Sequence, residues 1–202
     1  MIPVKCATEP TGFDADVRKP GLRFLKTVHH PKSKDFKNKE FWRKSIPDLL
    51  VAYNRVCAYT AFRIARTTGA ATVDHFVPVD EDCTLAYEWT NFRLACWKVN
   101  SRKGKKKVLD PFTIPDNVFT IRFPSLLVAP SDSLPREVME QAQDTIATLK
   151  LNDEELVTTR QEYIDLWCNK DVPFDFVRRE APFLAAEIER QGVLGTLCDQ
   201  FS

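Results

Sequence analysis

The first half of the chain has apolar patterns that predict short elements of both types. The run 72–77 combines β-branched and aromatic residues and is closed by Pro78, which is typical of a strand. Pro47 can open a helix before this strand, and residues 97–105 fit a short helix after it. Residues 119–123 fit a second strand.

From Pro135 onward the apolar spacing becomes helical. One stripe has i, i+4, i+8, i+11 spacing and consists of Val138, Ala142, Ile146 and Leu149. Two further segments, 156–167 and 173–190, carry similar stripes. Together the three segments predict a helical packing layer.

Residues 1–45 have little apolar periodicity and several prolines, and we therefore predict an extended basic arm. We expect an α+β protein with this N-terminal arm, a core domain over 46–115 and a mostly helical C-terminal region over 116–202.

Composition is that of an ordinary globular protein, with 44% hydrophobic and 28% charged residues. No stretch approaches the roughly 18 apolar residues of a membrane span, and the N-terminus does not look like a secretory signal. We expect a cytoplasmic protein without a membrane partner. The 6 cysteines are scattered, which favours reduced, mostly buried thiols over a disulfide framework.

Charge is distributed unevenly, although the net charge is only +1. Residues 17–44 hold 10 Lys or Arg against 2 acids, and residues 97–107 hold 6 with no acid. In residues 131–190 the balance reverses, with 14 Asp or Glu against 7 Lys or Arg. Such polarity suggests a face that binds a polyanion, although any single cluster could equally be a solvated surface.

Candidate chemistry centres on Asp74 and His75, since the chain has only 3 histidines. Neighbouring side chains on a strand point to opposite faces, so the strand must bend or end here if both serve one site. Asn91 and Asn100 follow downstream.

In this order and spacing, the segment from Cys57 to Asp110 resembles the core of HNH endonucleases. The matching residues are Cys57, Asp74, His75, Pro78, Asn91, Phe92, Cys96, Asn100, Lys103 and Gly104. The resemblance covers about a quarter of the chain and implies a ββα-metal fold, in which a hairpin and a helix clamp one divalent cation. Asn100 stands where many relatives have histidine, so the chain looks like an H-N-N variant.

The resemblance also implies roles for these residues. His75 would be the general base, and Asn91 would brace its loop through side-chain to main-chain hydrogen bonds. Asp74 and Asn100 offer oxygen ligands that suit Mg²⁺ or Mn²⁺. The basic residues expected to touch nucleic acid are Lys98, Arg102, Lys103, Lys105, Lys106 and Lys107.

One departure from the family pattern concerns zinc. Thr60 and Val99 stand where partners of Cys57 and Cys96 would be, so we expect no structural zinc. The two cysteines should then be buried thiols near each other in the core. Aromatic packing would have to stabilise the hairpin instead, from Tyr59, Phe62, Trp89 and Trp97.

The function implied is metal-dependent hydrolysis of DNA, with RNA as an open alternative. A second possible function is that of a catalytically inactive HNH-like module, which binds nucleic acid or a partner protein. Some HNH nucleases of bacterial anti-phage defence work with an ATPase subunit, and their size and helical tail are similar. By that analogy, the C-terminal helices would dock an ATPase or another protein.

Overall fold

The computed structural model describes residues 1–200, and in that range the protein is α+β, with seven α-helices and two two-stranded antiparallel sheets. The chain divides into two compact units. Lys5–Cys57 and Ile64–Lys105 form what we call the N-terminal unit. Met1–Val4, Ala58–Arg63 and Lys106–Ser202 form the C-terminal unit. These units differ from the predicted boundaries, since most of the predicted arm belongs with the hairpin.

The N-terminal unit contains three helices and one hairpin. Their bounds are α1 Lys19–Leu25, α2 Ile46–Ala52, β1 Ala71–His75, β2 Phe92–Cys96 and α3 Trp97–Lys103. Strand β1 pairs antiparallel with β2, with Val73 opposite Leu94 and His75 opposite Phe92. The predicted strand and both predicted helices of this region are confirmed. Helix α3 ends at Lys103 and is followed by Gly104, whose φ of 51° favours glycine.

The prediction of an extended arm was wrong. A π-helical turn, Asp14–Arg18, continues directly into α1. Phe13, Val17 and Phe24 have i, i+4, i+11 spacing and are buried. Charged residues interrupt this apolar stripe, so the sequence pattern did not indicate a helix. At Gly21, a Cβ atom would lie 2.2 Å from the Tyr87 ring, so a side chain there would force the ring to move.

Aromatic side chains join this N-terminal segment to the hairpin. The Phe13 ring meets Trp89 edge-on, with centroids 5.5 Å apart, and lies 5.7 Å from Phe92. The Trp89 indole N–H donates to the Ala7 carbonyl oxygen at 2.7 Å, so its polar atom is satisfied in the core. The core of this unit therefore depends on residues that precede the predicted domain.

The C-terminal unit holds the second hairpin and four helices. Their bounds are β3 Phe119–Arg122, β4 Leu127–Pro130, α4 Arg136–Leu149, α5 Glu154–Cys168, α6 Phe174–Glu180 and α7 Pro182–Arg190. The predicted helical layer is confirmed, but its third segment is two helices. They meet at Ala181, which precedes Pro182 and leaves the α region with φ −139° and ψ 62°. No helix within residues 1–200 is long and apolar enough to cross a membrane.

Two buried charges link elements of the C-terminal unit. Arg160 donates to the carbonyl oxygens of Leu126 and Leu151, at 3.0 and 2.6 Å. Glu187 accepts hydrogen bonds from the Thr120 hydroxyl and the Ile121 amide, at 2.6 and 3.0 Å. Arg160 on α5 thus forms hydrogen bonds with the carbonyl groups just before β4 and just after α4, and Glu187 on α7 forms them with polar groups of β3.

The cysteines follow the prediction only in part. Cys57 and Cys96 are thiols with their sulfur atoms 4.0 Å apart, so their expected proximity is confirmed, although only Cys57 is buried and Cys96 is half-buried. Cys168 and Cys198, by contrast, form a disulfide, which contradicts the expectation of reduced thiols throughout. Their separation of 30 residues gave no sign in the sequence that they are neighbours.

Candidate active site

A cleft of about 320 Å³ lies at the end of β1 in the N-terminal unit. Its lining includes Asp74, His75 and Asn100, so the structure brings three of the predicted site residues together. Adjacent side chains of a strand point to opposite faces, so Asp74 and His75 can serve one site only if the strand bends or ends there. Strand β1 does end at His75. Helix α3 supplies Asn100.

The His75 ring is held by two aromatic neighbours and one hydrogen bond. Trp42 lies edge-on to it at 4.6 Å between centroids, and Phe92 lies at 5.3 Å. The Nε2 atom lies 2.8 Å from the Ala86 carbonyl oxygen. Because a carbonyl oxygen can only accept, Nε2 must carry the proton, and Nδ1 is then the basic nitrogen.

The surroundings of His75 favour its neutral form. Burial lowers the pKa of the imidazole, and this effect outweighs the hydrogen bond to Ala86 and the nearby Asp74 carboxylate, which both raise it. Nδ1 has no hydrogen-bond partner among residues 1–200 and is not one of their buried unsatisfied atoms. His75 lines the cleft, so this unpaired nitrogen is available to accept a proton.

Asn91 makes the bracing contacts expected of it. Its Oδ1 atom accepts from the Val77 amide at 2.8 Å, and its Nδ2 atom donates to the Val77 and Leu85 carbonyl oxygens, each at 3.1 Å. Asn91 is buried, and these three bonds tie both ends of the loop after β1 together. Its contribution to a reaction stays a prediction.

Asn100 is oriented so that its amide nitrogen forms hydrogen bonds and its amide oxygen does not. Nδ2 donates to the Thr72 hydroxyl at 2.9 Å and to the Val73 carbonyl oxygen at 3.3 Å. The carbonyl partner fixes which side of the amide is nitrogen. No group among residues 1–200 donates to Oδ1, and Asn100 lines the cleft. An oxygen ligand is thus available here.

Lys103 corrects one of our predictions, because it cannot contact phosphate from its present position. The side chain is fully buried, and its ammonium donates to Asp74 Oδ1 at 3.0 Å. It also donates to the carbonyl oxygens of His75 and Phe76, at 3.1 and 3.2 Å. All three ammonium hydrogens are used, and Lys103 instead fastens α3 to the end of β1.

The donor chemistry of the cleft fits a hard divalent cation. Asp74 offers a carboxylate and Asn100 an amide oxygen, both of which suit Mg²⁺ or Mn²⁺. Asp74 is only 3% exposed, however, and Lys103 partly neutralises its charge. A cation would therefore have to compete with the ammonium of Lys103 for this carboxylate.

The other predicted nucleic-acid residues are distributed between the two units. Lys98 and Arg102 are half-buried on α3, and Lys105 is exposed and lines the cleft. Lys106 and Lys107 are exposed but belong to the C-terminal unit. In the N-terminal unit, three of the predicted cations therefore remain candidates for phosphate contact.

Several cleft residues were not predicted from the sequence. Trp42 packs on His75, whereas Ser33 and Asp80 meet at the rim. The Lys105 ammonium and the Ser33 groups bond the Asp80 carboxylate and hold its pKa well below its usual range. No periodicity marks these positions, because Ser33 and Trp42 lie in short 3-10 helices and Asp80 lies in a turn. The prediction that packing of Trp97 helps to stabilise the hairpin was also wrong, since its side chain is 62% exposed.

Neither a scan against protein-family models nor a search among curated proteins gives a match.

Proposed function

We propose that this protein is a metal-dependent endonuclease of the HNH type that hydrolyses phosphodiester bonds in DNA. The observation that carries the proposal is the state of His75. Its Nε2 proton is held by the Ala86 carbonyl oxygen, its basic Nδ1 has no hydrogen-bond partner among residues 1–200, and the residue lines the cleft together with Asp74 and Asn100. The order β1, β2, α3 also matches the hairpin and helix that the family resemblance implies.

In this proposal His75 accepts a proton from a water molecule while the water oxygen attacks phosphorus. The bond between phosphorus and the leaving oxygen then breaks. The Ala86 carbonyl oxygen stabilises the imidazolium that results. Asn91 keeps the loop after β1 in place. Asp74 and Asn100 would hold Mg²⁺ or Mn²⁺, which supplies Lewis-acid stabilisation of the phosphoryl oxygens when bound. Lys98, Arg102 and Lys105 would contact the backbone phosphates.

The Lys103–Asp74 ion pair favours a second candidate function. If the ammonium keeps the carboxylate from the cation, the protein binds nucleic acid or a partner protein without catalysis. The buried pair is the specific observation behind this alternative.

Plasmid cleavage with Mg²⁺, Mn²⁺ or EDTA tests the proposal and separates it from the alternative. We expect metal-dependent nicking that falls at least about a hundredfold in His75→Ala, because the general base is lost. His29→Ala is the matched control, since His29 is exposed in the same unit and should keep wild-type activity. Asn100→Ala should require more Mn²⁺ for half-maximal cleavage.

Absence of cleavage with either metal, together with retained binding to DNA, would favour the inactive module. Wild-type activity in His75→Ala would contradict the assignment of the base. Thermal unfolding of each variant, followed by circular dichroism, separates a lost base from a lost fold.

A further inference from the structure

Trp97 combines a large apolar ring with an exposed position. It is the first residue of α3 and is 62% exposed, whereas Trp89 is 2% exposed. Its side chain makes no ring contact or hydrogen bond with any of residues 1–200. Tryptophan offers one of the largest contact areas of any side chain, and here that area is left to solvent.

Helix α3 places this ring beside groups that are suited to nucleic acid. Residues 97 and 101 are about 40° apart around a helix, and residues 97 and 100 are about 60° apart. Trp97 therefore lies on the same side of α3 as Asn100, roughly 4.5 Å along the axis from it. Asn100 lines the cleft, and the basic residues Lys98 and Arg102 lie on the same helix.

We propose that Trp97 is a base-stacking residue, which packs against a nucleobase of the DNA strand held at the cleft. The positive charge of α3 selects a polyanionic partner, and an exposed indole adds a flat surface that every base can stack on. The backbone amide of Trp97 is bonded to the Ala70 carbonyl oxygen at 2.8 Å, so the residue is anchored although its ring is exposed.

The inference rests on the proposed function, since it takes DNA as the ligand. Stacking on one base is worth about 1–3 kcal/mol, or roughly 5- to 150-fold in affinity. Since no charge is removed, the dependence of affinity on salt should not change in a Trp97 variant. This separates a stacking contact from a phosphate contact.

The test measures binding in EDTA to a short DNA duplex with a single-stranded overhang that carries a fluorescent adenine analogue. We expect Trp97→Ala to weaken binding about tenfold and to relieve quenching of the analogue, with an unchanged salt slope. Trp97→Phe should recover most of the affinity. Val51→Ala is the matched control, because Val51 is 80% exposed in the same unit and carries no predicted role.

Wild-type affinity and wild-type quenching in Trp97→Ala, with plasmid cleavage intact in the unmutated protein, would overturn this inference alone. A weaker affinity that arises with a flattened salt slope would also overturn it. If the unmutated protein neither binds the probe nor cleaves plasmid, the proposed function fails together with it.

Discussion

The two units both bury charged side chains, but the consequences for a site differ. In the C-terminal unit, Arg160 and Glu187 bond groups near the strands, and none of these residues lines the His75 cleft. In the N-terminal unit, Lys103 bonds the carboxylate of Asp74 and the carbonyl oxygen of His75, which both line it. The buried charges of the C-terminal unit therefore stabilise the fold, whereas the buried Lys103 of the N-terminal unit also holds the residues that line the cleft in position.

The largest expected effect comes from breaking the buried pair of the N-terminal unit. Lys103→Met removes the ammonium that bonds a buried carboxylate and two backbone carbonyl oxygens. We expect the free energy of unfolding to fall by about 3–5 kcal/mol, with loss of cleavage. Urea denaturation measures the first quantity and plasmid nicking the second.

Lys34→Met is the matched control, since Lys34 is exposed in the same unit and should change stability by less than about 0.5 kcal/mol. The double variant Lys103→Met with Asp74→Asn should regain part of the stability, because a neutral amide costs less to bury than a carboxylate that has lost the ammonium of Lys103. A loss below about 1 kcal/mol in Lys103→Met would contradict the role given to the pair.

A somewhat smaller effect is expected from the disulfide of the C-terminal unit. Cys168 and Cys198 close a loop with a sequence separation of 30, and opening it should cost about 3–4 kcal/mol through the entropy of the unfolded chain. Denaturation with and without dithiothreitol measures this cost, and Cys168→Ser with Cys198→Ser should lose sensitivity to the reductant. Cleavage under native conditions should persist, in contrast with Lys103→Met. A denaturation curve that dithiothreitol does not shift would be the opposing result.

The smallest effect should come from Glu187, and it should depend on pH. Burial alone would raise the pKa of this carboxyl, but hydrogen bonds from Arg190, Thr120 and Ile121 outweigh it and lower the pKa. A lowered pKa means that the stabilising contribution is present above the unfolded value of about 4.3 and is lost as pH falls through the folded value.

We therefore expect Glu187→Gln to be less stable by about 1–2 kcal/mol at neutral pH, with the difference shrinking below about pH 4. Urea midpoints across this pH range are the measurement. An equal difference at every pH would show that Glu187 acts through packing and not through its charge.

The sequence predicted those features that depend on local spacing. The strand before Pro78, the short helix after it and the C-terminal helices all follow from periodicity and from proline or glycine signals. The approach of Asp74, His75 and Asn100 followed from a resemblance in residue order, and the Asn91 contacts agree with it.

What could not be predicted depends on contacts between distant residues. A lysine in a basic run gives no sign that it is buried, and Lys103 is recognisable only once Asp74 and two carbonyl oxygens surround it. Trp42 and Asp80 reach the cleft from separate segments of the chain, and Cys168 meets Cys198 only through the course of the chain after α5. The helix near residue 17 was missed for another reason, since its charged neighbours hid a regular apolar stripe.

The close approach of Gly21 to the Tyr87 ring bears on which changes evolution can accept. Position 21 lies far from the Asp-His motif in the sequence, but any side chain there would displace a ring that also packs on Phe36 and Trp42. Trp42 in turn touches His75. A substitution of this glycine would therefore require Tyr87 and Trp42 to repack next to His75. We expect positions 21 and 87 to vary together among descendants of this chain.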